Sequence, residues 1–312
     1  MKAASASKKK GVLKKTRNSR TIWNYHIMVL IGMVWLFFFN IVPMFGIVIA
    51  FEDYNPMSGL WHSDFVGMEN FTYLFSMSDC KRVIFNTLVI AVAKLILNII
   101  VPLAFALLLN EIRQVKFKKA VQTIVYLPHF LSWVVLAGIV IQILSPSSGI
   151  VNQIIVMFGG NPIYFVADPR YFVPMLIVTG IWKEVGWDAI VYLSAMAGID
   201  QGLYEAAKVD GANRLQRIWH ITLPGIKPTV VVLLIMGIGG ALNVGMERQM
   251  LLSNPLVEDH TMVLSWFSYK RGIGNSNYGL GTAIGVFQSA VSVTLLLIAN
   301  KIAGLVGEDK LM

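Results

Sequence analysis

Residues 27–51 run for 25 positions without one charged side chain. Crossing a hydrocarbon core of about 30 Å takes roughly 20 helical residues. Inside lipid every backbone N–H and C=O must be bonded within the chain, so a run of this kind reads as a helix spanning a bilayer. It is longer than the ~7–15 apolar residues of a signal-peptide core, and no small-residue cleavage pattern follows it. Five further segments have a suitable length: 83–109, interrupted only by Lys94; 121–144 and 278–300, both uncharged; 172–197; and 226–246. Composition agrees with this reading. The 312 residues are 56% hydrophobic and 14% charged, with a mean hydropathy of +0.65, whereas soluble domains run near ~45–50% apolar and ~25% charged. The expected fold is an all-α membrane protein with six transmembrane helices.

The formal charge of +9 is unevenly placed. Residues 1–20 hold eight basic side chains (Lys2, Lys8, Lys9, Lys10, Lys14, Lys15, Arg17 and Arg20) and no acid, which leaves 18 basic against 17 acidic residues elsewhere. The basic character is a tail rather than a groove, so nucleic acid is not an expected partner, whereas anionic membrane lipid is. Loop 110–120 adds Arg113, Lys116, Lys118 and Lys119, and loop 198–225 adds Lys208, Arg214 and Arg217. The alternate loops are poorer: Lys81 and Arg82 in 52–82, Arg170 in 145–171, and Arg248, Lys270 and Arg271 in 247–277. Lys and Arg resist translocation, which places the richer set, and both termini, in the cytoplasm of a multi-pass plasma-membrane protein. The expected organisation is a basic tail, 1–25, and one transmembrane domain, 26–312, with a cytoplasmic loop at 198–225.

Enzyme chemistry is hard to find. A single cysteine, Cys80, excludes an intrachain disulfide and a cysteine metal cage. The five histidines have no i, i+4 pairing that would suit zinc. No phosphate-cradling G-x-x-x-x-G-K-[ST] occurs, and the dipeptide Gly-Lys is missing altogether. Ser147 and Ser148 lie in a turn with no base nearby in sequence, and His129, after Pro128, reads as a polar contact at a kink. No catalytic residue, metal site or cofactor is expected on this chain.

The loop between the fourth and fifth segments is the most informative. Leu203, Ala206 and Ala207 share one stripe of a short helix, and Gly211 can take a positive φ and stop it. A second short helix is expected to carry Leu215, Ile218 and Trp219 on one face, with Pro224 and Pro228 setting the entry into the fifth span. Small alanines permit close approach to a groove on another protein; a plain interfacial linker would show the same pattern.

Glu205-Ala206-Ala207-x-x-Asp210-Gly211-Ala212, followed by Ile221-x-Leu223-Pro224, resembles the coupling-loop motif of binding-protein-dependent ABC importer permeases. Phe65-Val66-Gly67-Met68-Glu69-Asn70-Phe71, Tyr126-Leu127-Pro128, and Trp182 with Gly186 are similar to the carbohydrate branch. Ala197-Gly198-Ile199-Asp200 and His220 through Gly225 are similar to its polysaccharide or oligosaccharide members. The resemblance implies a type I importer permease with six spans. Glu205, Ala206, Ala207, Asp210 and Gly211 would dock in a cleft of a cytoplasmic ATPase subunit, with Leu223 and Pro224 anchoring the loop to span five. ATP and Mg would bind that partner, present as a dimer. A second, different permease subunit and an extracytoplasmic substrate-binding protein would complete the importer of a sugar.

Lys94, Lys183, Glu184 and Asp188 fall inside expected spans. With span four entering near Phe172, Lys183 lies about 16 Å down. An unpaired charge there costs at least about 2.5–3.5 kcal/mol, so these groups should face protein or water. One reading is a substrate path, with Trp182 and Trp187 offering faces to sugar rings and Asn243, Glu247 and Gln288 along its course. The other is an ion-pair network, with Lys94 meeting Glu184 or Asp188. The four charges sum to zero, which favours pairing and a neutral sugar over a uronate. Trp35 and Trp133 read as lipid-facing or packing residues, and Arg248, like Asn243 and Glu247, as an interface anchor or part of the rim of the path. An ion-coupled secondary carrier using Glu184 and Asp188 is the alternative function, and an intramembrane enzyme a more distant one.

Overall fold

The computed structural model describes residues 19–305. The basic residues of the tail up to Arg17 lie outside the described residues, as does the side chain of Arg20. Packing divides the chain into two units, Met1–Val48 and Ile49–Met312. This division falls inside the first apolar segment.

In the first unit, α1 (Ser19–Leu36) passes through a π turn (Phe37–Ile41) into α2 (Val42–Met44). Trp23, Met28, Trp35 and Phe39 are all exposed, and a helix apolar all round is a membrane span by character. The second unit continues from the 3-10 turn ending at Phe51 into a short antiparallel pair, β1 (Glu52–Asp53) with β2 (Asp64–Phe65). Helices α3 (Glu69–Ser76) and α4 (Cys80–Asn110) follow, then α5 (Val115–Tyr126), α6 (Trp133–Ile143), α7 (Ile150–Met157) and α8 (Pro169–Ala197). After α9 (Gln201–Val209) come α10 (Arg214–Arg217), α11 (Leu223–Gly239), α12 (Met246–Leu252), α13 (Pro255–Thr261), α14 (Leu264–Ser268) and α15 (Tyr278–Leu305).

Three expectations of sequence need correction. The third segment, 121–144, is not one straight helix. Pro128 sits in a 3-10 turn (Leu127–Phe130), Ser132 is extended and caps α6, and the two helices meet at 107°. The fifth does not begin after a separate short helix. Helix runs unbroken over Arg214–Gly239 because the backbone widens into a π turn (Ile218–Thr222) just before Pro224, whose missing N–H cannot serve the carbonyl four residues earlier. It also ends at Gly239, so 240–246 leaves the helix, with Gly245 at φ +90°. As for the count, among the described residues four helices are long and apolar enough to cross a membrane, five if the bent pair is one span. The 29 residues of α8 have the length, but Arg170, Lys183, Glu184 and Asp188 interrupt its apolar character.

The hydrophobic effect does not drive helices together in lipid, so close packing and hydrogen bonds must. Helix α4 packs most extensively on α8, and α11 on α15. Small residues mark the crossings. A Cβ at Gly186 of α8 would sit 2.5 Å from the Val125 carbonyl of α5, and one at Gly272 2.5 Å from Gly281 Cα. Ala106, Ala189, Tyr192, Met196 and Ile226 form one buried cluster joining α4, α8 and α11.

Candidate functional site

The break between α5 and α6 leaves backbone carbonyls without helical partners, and α8 answers them from below. Lys183 is buried, and its Nζ donates to the carbonyls of Pro128 (3.4 Å), His129 (2.5 Å) and Leu131 (2.9 Å). One turn of chemistry beside it, Glu184 Oε2 lies 2.6 Å from His129 Nδ1, and Glu184 Oε1 3.8 Å from Lys183 Nζ. The His129 ring stacks on Trp187 at 4.4 Å with the planes 1° apart. Lys183 thus serves chiefly as a cap on the broken helix.

Arg248 of α12 enters from the opposite side. It is 5% exposed; Nη1 donates to the Leu176 carbonyl of α8 and Nη2 to the Val244 carbonyl, both at 2.8 Å. Gly180 makes the approach possible, because a Cβ there would overlap Arg248 Nη1. The Trp133 ring carries Arg248 at 5.3 Å and Lys183 at 5.9 Å, both within cation–π range. Lys94 of α4 donates to the Asn243 carbonyl at 3.0 Å.

Two cavities meet at Lys94 and Asn98. The larger, of about 360 Å³, is lined by α4, α8 and α11 and includes Asp188, Tyr192 and Gly237. The smaller, of about 130 Å³, includes Trp133, Gly180, Glu184 and Arg248. Together they form a seam whose lining carries Lys94, Asn98, Glu184, Asp188 and Arg248.

The residues proposed for a substrate path divide accordingly. Glu184 and Asp188 line the seam; Lys183 and Trp187 line neither cavity but lie behind it against Glu184 and His129, and Asn243 touches Lys94 through its carbonyl. Trp182 lies elsewhere, in an apolar groove of about 420 Å³ with Tyr171, Met175 and Val178, so it does not pair with Trp187. Gln288 donates to the Leu242 carbonyl at 3.0 Å, and Glu247 is exposed on α12. The expected ion pair of Lys94 with Glu184 or Asp188 is not formed: among the described residues Glu184 pairs with His129 and Lys183 instead. Sequence reasoning missed Trp133, whose ring lies near both Lys183 and Arg248, and Asn98, which lines both cavities.

On loop 198–225, Asp200 caps α9, accepting from the Gly202 N–H at 2.9 Å, and Gly211 takes φ +79° at its end. Glu205, Ala206, Asp210 and Gly211 are exposed, and Ala207 is half-buried. Asn213 and Gln216 form a reciprocal capping box at 2.7 and 2.9 Å that starts α10. Tyr204 Oη bonds Thr222 Oγ1 at 2.9 Å, and Leu223 packs against the cluster around Tyr192, while Pro224 is exposed.

Comparison with known proteins fits this architecture. Residues 103–304 match the family described as binding-protein-dependent transport system inner membrane component. The polygalacturonan/rhamnogalacturonan transport system permease protein YteP of Bacillus subtilis (strain 168) is 42% identical over 91% of this chain and 88% of its own length. Protein LplB of the same organism is 40% identical over 94% of this chain and 92% of its own. A chain of a bacterial alginate ABC transporter, crystallised in complex with an alginate pentasaccharide-bound periplasmic protein, superposes with a TM-score of 0.86. It shares 38% identity over 94% of this chain and 98% of that one. The chain belongs to the family of inner membrane components of binding-protein-dependent transport systems, and its fold is that of a type I ABC importer permease.

Proposed function

We propose that the protein is the transmembrane permease subunit of an ATP-driven importer whose cargo is an acidic oligosaccharide. The observation that carries the coupling part is α9. Its Glu-Ala-Ala face is exposed although the helix is fastened at both ends and tied to Thr222, a geometry suited to docking in a cleft. A displacement of α9 would pass through the unbroken 26-residue helix Arg214–Gly239 to the wall of the larger cavity. ATP and Mg belong in this reading to a dimer of cytoplasmic ATPase subunits, and this chain is a transport subunit, not an enzyme. A second, different permease subunit would close the translocation path, and an extracytoplasmic binding protein would deliver the sugar. Both termini and loop 198–225 face the cytoplasm.

The cargo's charge is read differently from the sequence expectation of a neutral sugar. Arg248 joins Lys94 in the seam lining, and with Lys183 buried 3.8 Å from Glu184 the group holds three cations against the carboxylates of Glu184 and Asp188. The names of the polygalacturonan/rhamnogalacturonan and alginate transport proteins support the same reading, because those polymers are rich in uronic acid.

The test is sugar-stimulated ATP hydrolysis by the purified complex with its partners. Glu205→Trp and Gly211→Val variants should insert normally but lose most ATPase association and stimulated turnover. Unchanged stimulation in both variants would falsify the coupling assignment. Import by this chain with no ATPase bound would instead favour an ion-coupled carrier.

A further inference from the structure

Lys94 and Arg248 stand at the edge of the same cavity, held only by neutral backbone oxygens. Among the described residues neither has a carboxylate within 4.0 Å: of the two acids lining the cavities, Glu184 is committed to His129 and Lys183, and Asp188 shares the larger cavity with Lys94 without a salt bridge to it. A cation kept from water without a counter-ion is costly, and interior charges in membrane proteins mark pathways. Two carbonyls occupy only part of a guanidinium, which has five N–H donors in a planar fork matched to a carboxylate. Trp133 packs against its face, and Gly180 leaves room for it beside α8.

We propose that Lys94 and Arg248 form an anion station in the translocation path, where the carboxylate of a passing uronic acid residue makes the direct ion pair that Glu184 and Asp188 do not. Asn98, shared by both cavities, lies where it would hydrogen-bond neighbouring hydroxyls. The carbonyl partners have a second consequence. They satisfy the cations partly while the station is empty, so the site need not hold its guest tightly, and a conducting site must bind weakly enough to release. The inference rests on the reading of the chain as a permease for acidic oligosaccharides.

The experiment uses the complete importer in proteoliposomes, with trigalacturonate as the acidic probe and cellotriose as the neutral one. Two variants of this chain are compared with the wild type. Arg248→Gln removes the fork. Asn98→Asp is nearly isosteric and places an internal carboxylate between the two cations. Each should lower trigalacturonate import by about tenfold or more, as expected for loss or neutralisation of a sheltered charge pair. Asn98→Asp should keep or raise the assembly yield, because the cations gain a partner; a purely structural role for them predicts that gain with no loss of import. Wild-type import of trigalacturonate with both variants unimpaired overturns the station alone. Wild-type import of cellotriose but not trigalacturonate refutes the acidic-cargo reading, and the station falls with it. If Arg248→Gln fails to assemble, Asn98→Asp decides the matter.

Discussion

At the scale of single residues, Lys183 carries the most structure per atom. Its ammonium serves three carbonyls at the α5–α6 break and stands 3.8 Å from Glu184. Replacing Lys183 with Met strands those carbonyls and removes a neighbouring cation from Glu184. Breaking one side of such an arrangement costs about 3–5 kcal/mol in soluble proteins, so the yield and melting temperature of the purified complex should fall. Adding Glu184→Gln should recover part of the loss, because no stranded charge remains although the carbonyls stay unserved. Normal assembly of the single variant, with import selectively lost, would move Lys183 into the sugar path. A second prediction concerns Gly180→Ala. The new methyl overlaps Arg248 Nη1, so the guanidinium must leave the Leu176 carbonyl or α8 must shift. Overpacking of this kind costs roughly 1–3 kcal/mol, to be read as a lowered melting temperature.

At the scale of elements, glycine and proline decide where helices bend, meet and stop. Gly186 lets α8 approach the α5 backbone, and unlike Arg248 a carbonyl cannot swing aside. Gly186→Ala should therefore destabilise the complex more than Gly180→Ala, and a ranking in the other direction in thermal melts would contradict this account. The α9–α10 turn is fastened by Gly211 in left-handed geometry and by the Asn213 box. Asn213→Ala removes an N-cap worth about 1 kcal/mol. Since α10 is the near end of a helix reaching the cavity wall, the expected effect is weaker ATPase coupling with normal insertion, measured as stimulated hydrolysis per mole of complex.

At the scale of the whole molecule, orientation is the open test. Cys80, though in an expected external loop, is 1% exposed, so a membrane-impermeant thiol reagent should leave the wild type unlabelled. In a cysteine-free background, Met57→Cys should label on intact cells, because Met57 is 95% exposed in the loop expected outside. Val209→Cys, at an 88% exposed position beside the coupling motif, should label only after permeabilisation. The reverse pattern would invert the protein and remove the coupling assignment with it.

The sequence alone determined what depends on local pattern. Uncharged runs such as 27–51 announce helices in lipid, because no other open structure satisfies its backbone there. The Glu205 to Pro224 spacing pointed to the importer-permease family, which comparison bears out, because motif and helix are both contiguous in the chain. Some expectations failed where a local signal had two outcomes. Pro128 produced a 107° break, whereas Pro224 was absorbed by a π turn inside a continuous helix. What only the tertiary structure decided was the partnership of charges. Lys94, Glu184 and Arg248 are separated by tens of residues, and which of them meet depends on how helices cross. A count of four intramembrane charges summed to zero; the fold added Arg248, from a segment read as interface anchors or the rim of the path, and so brought a third cation to the group.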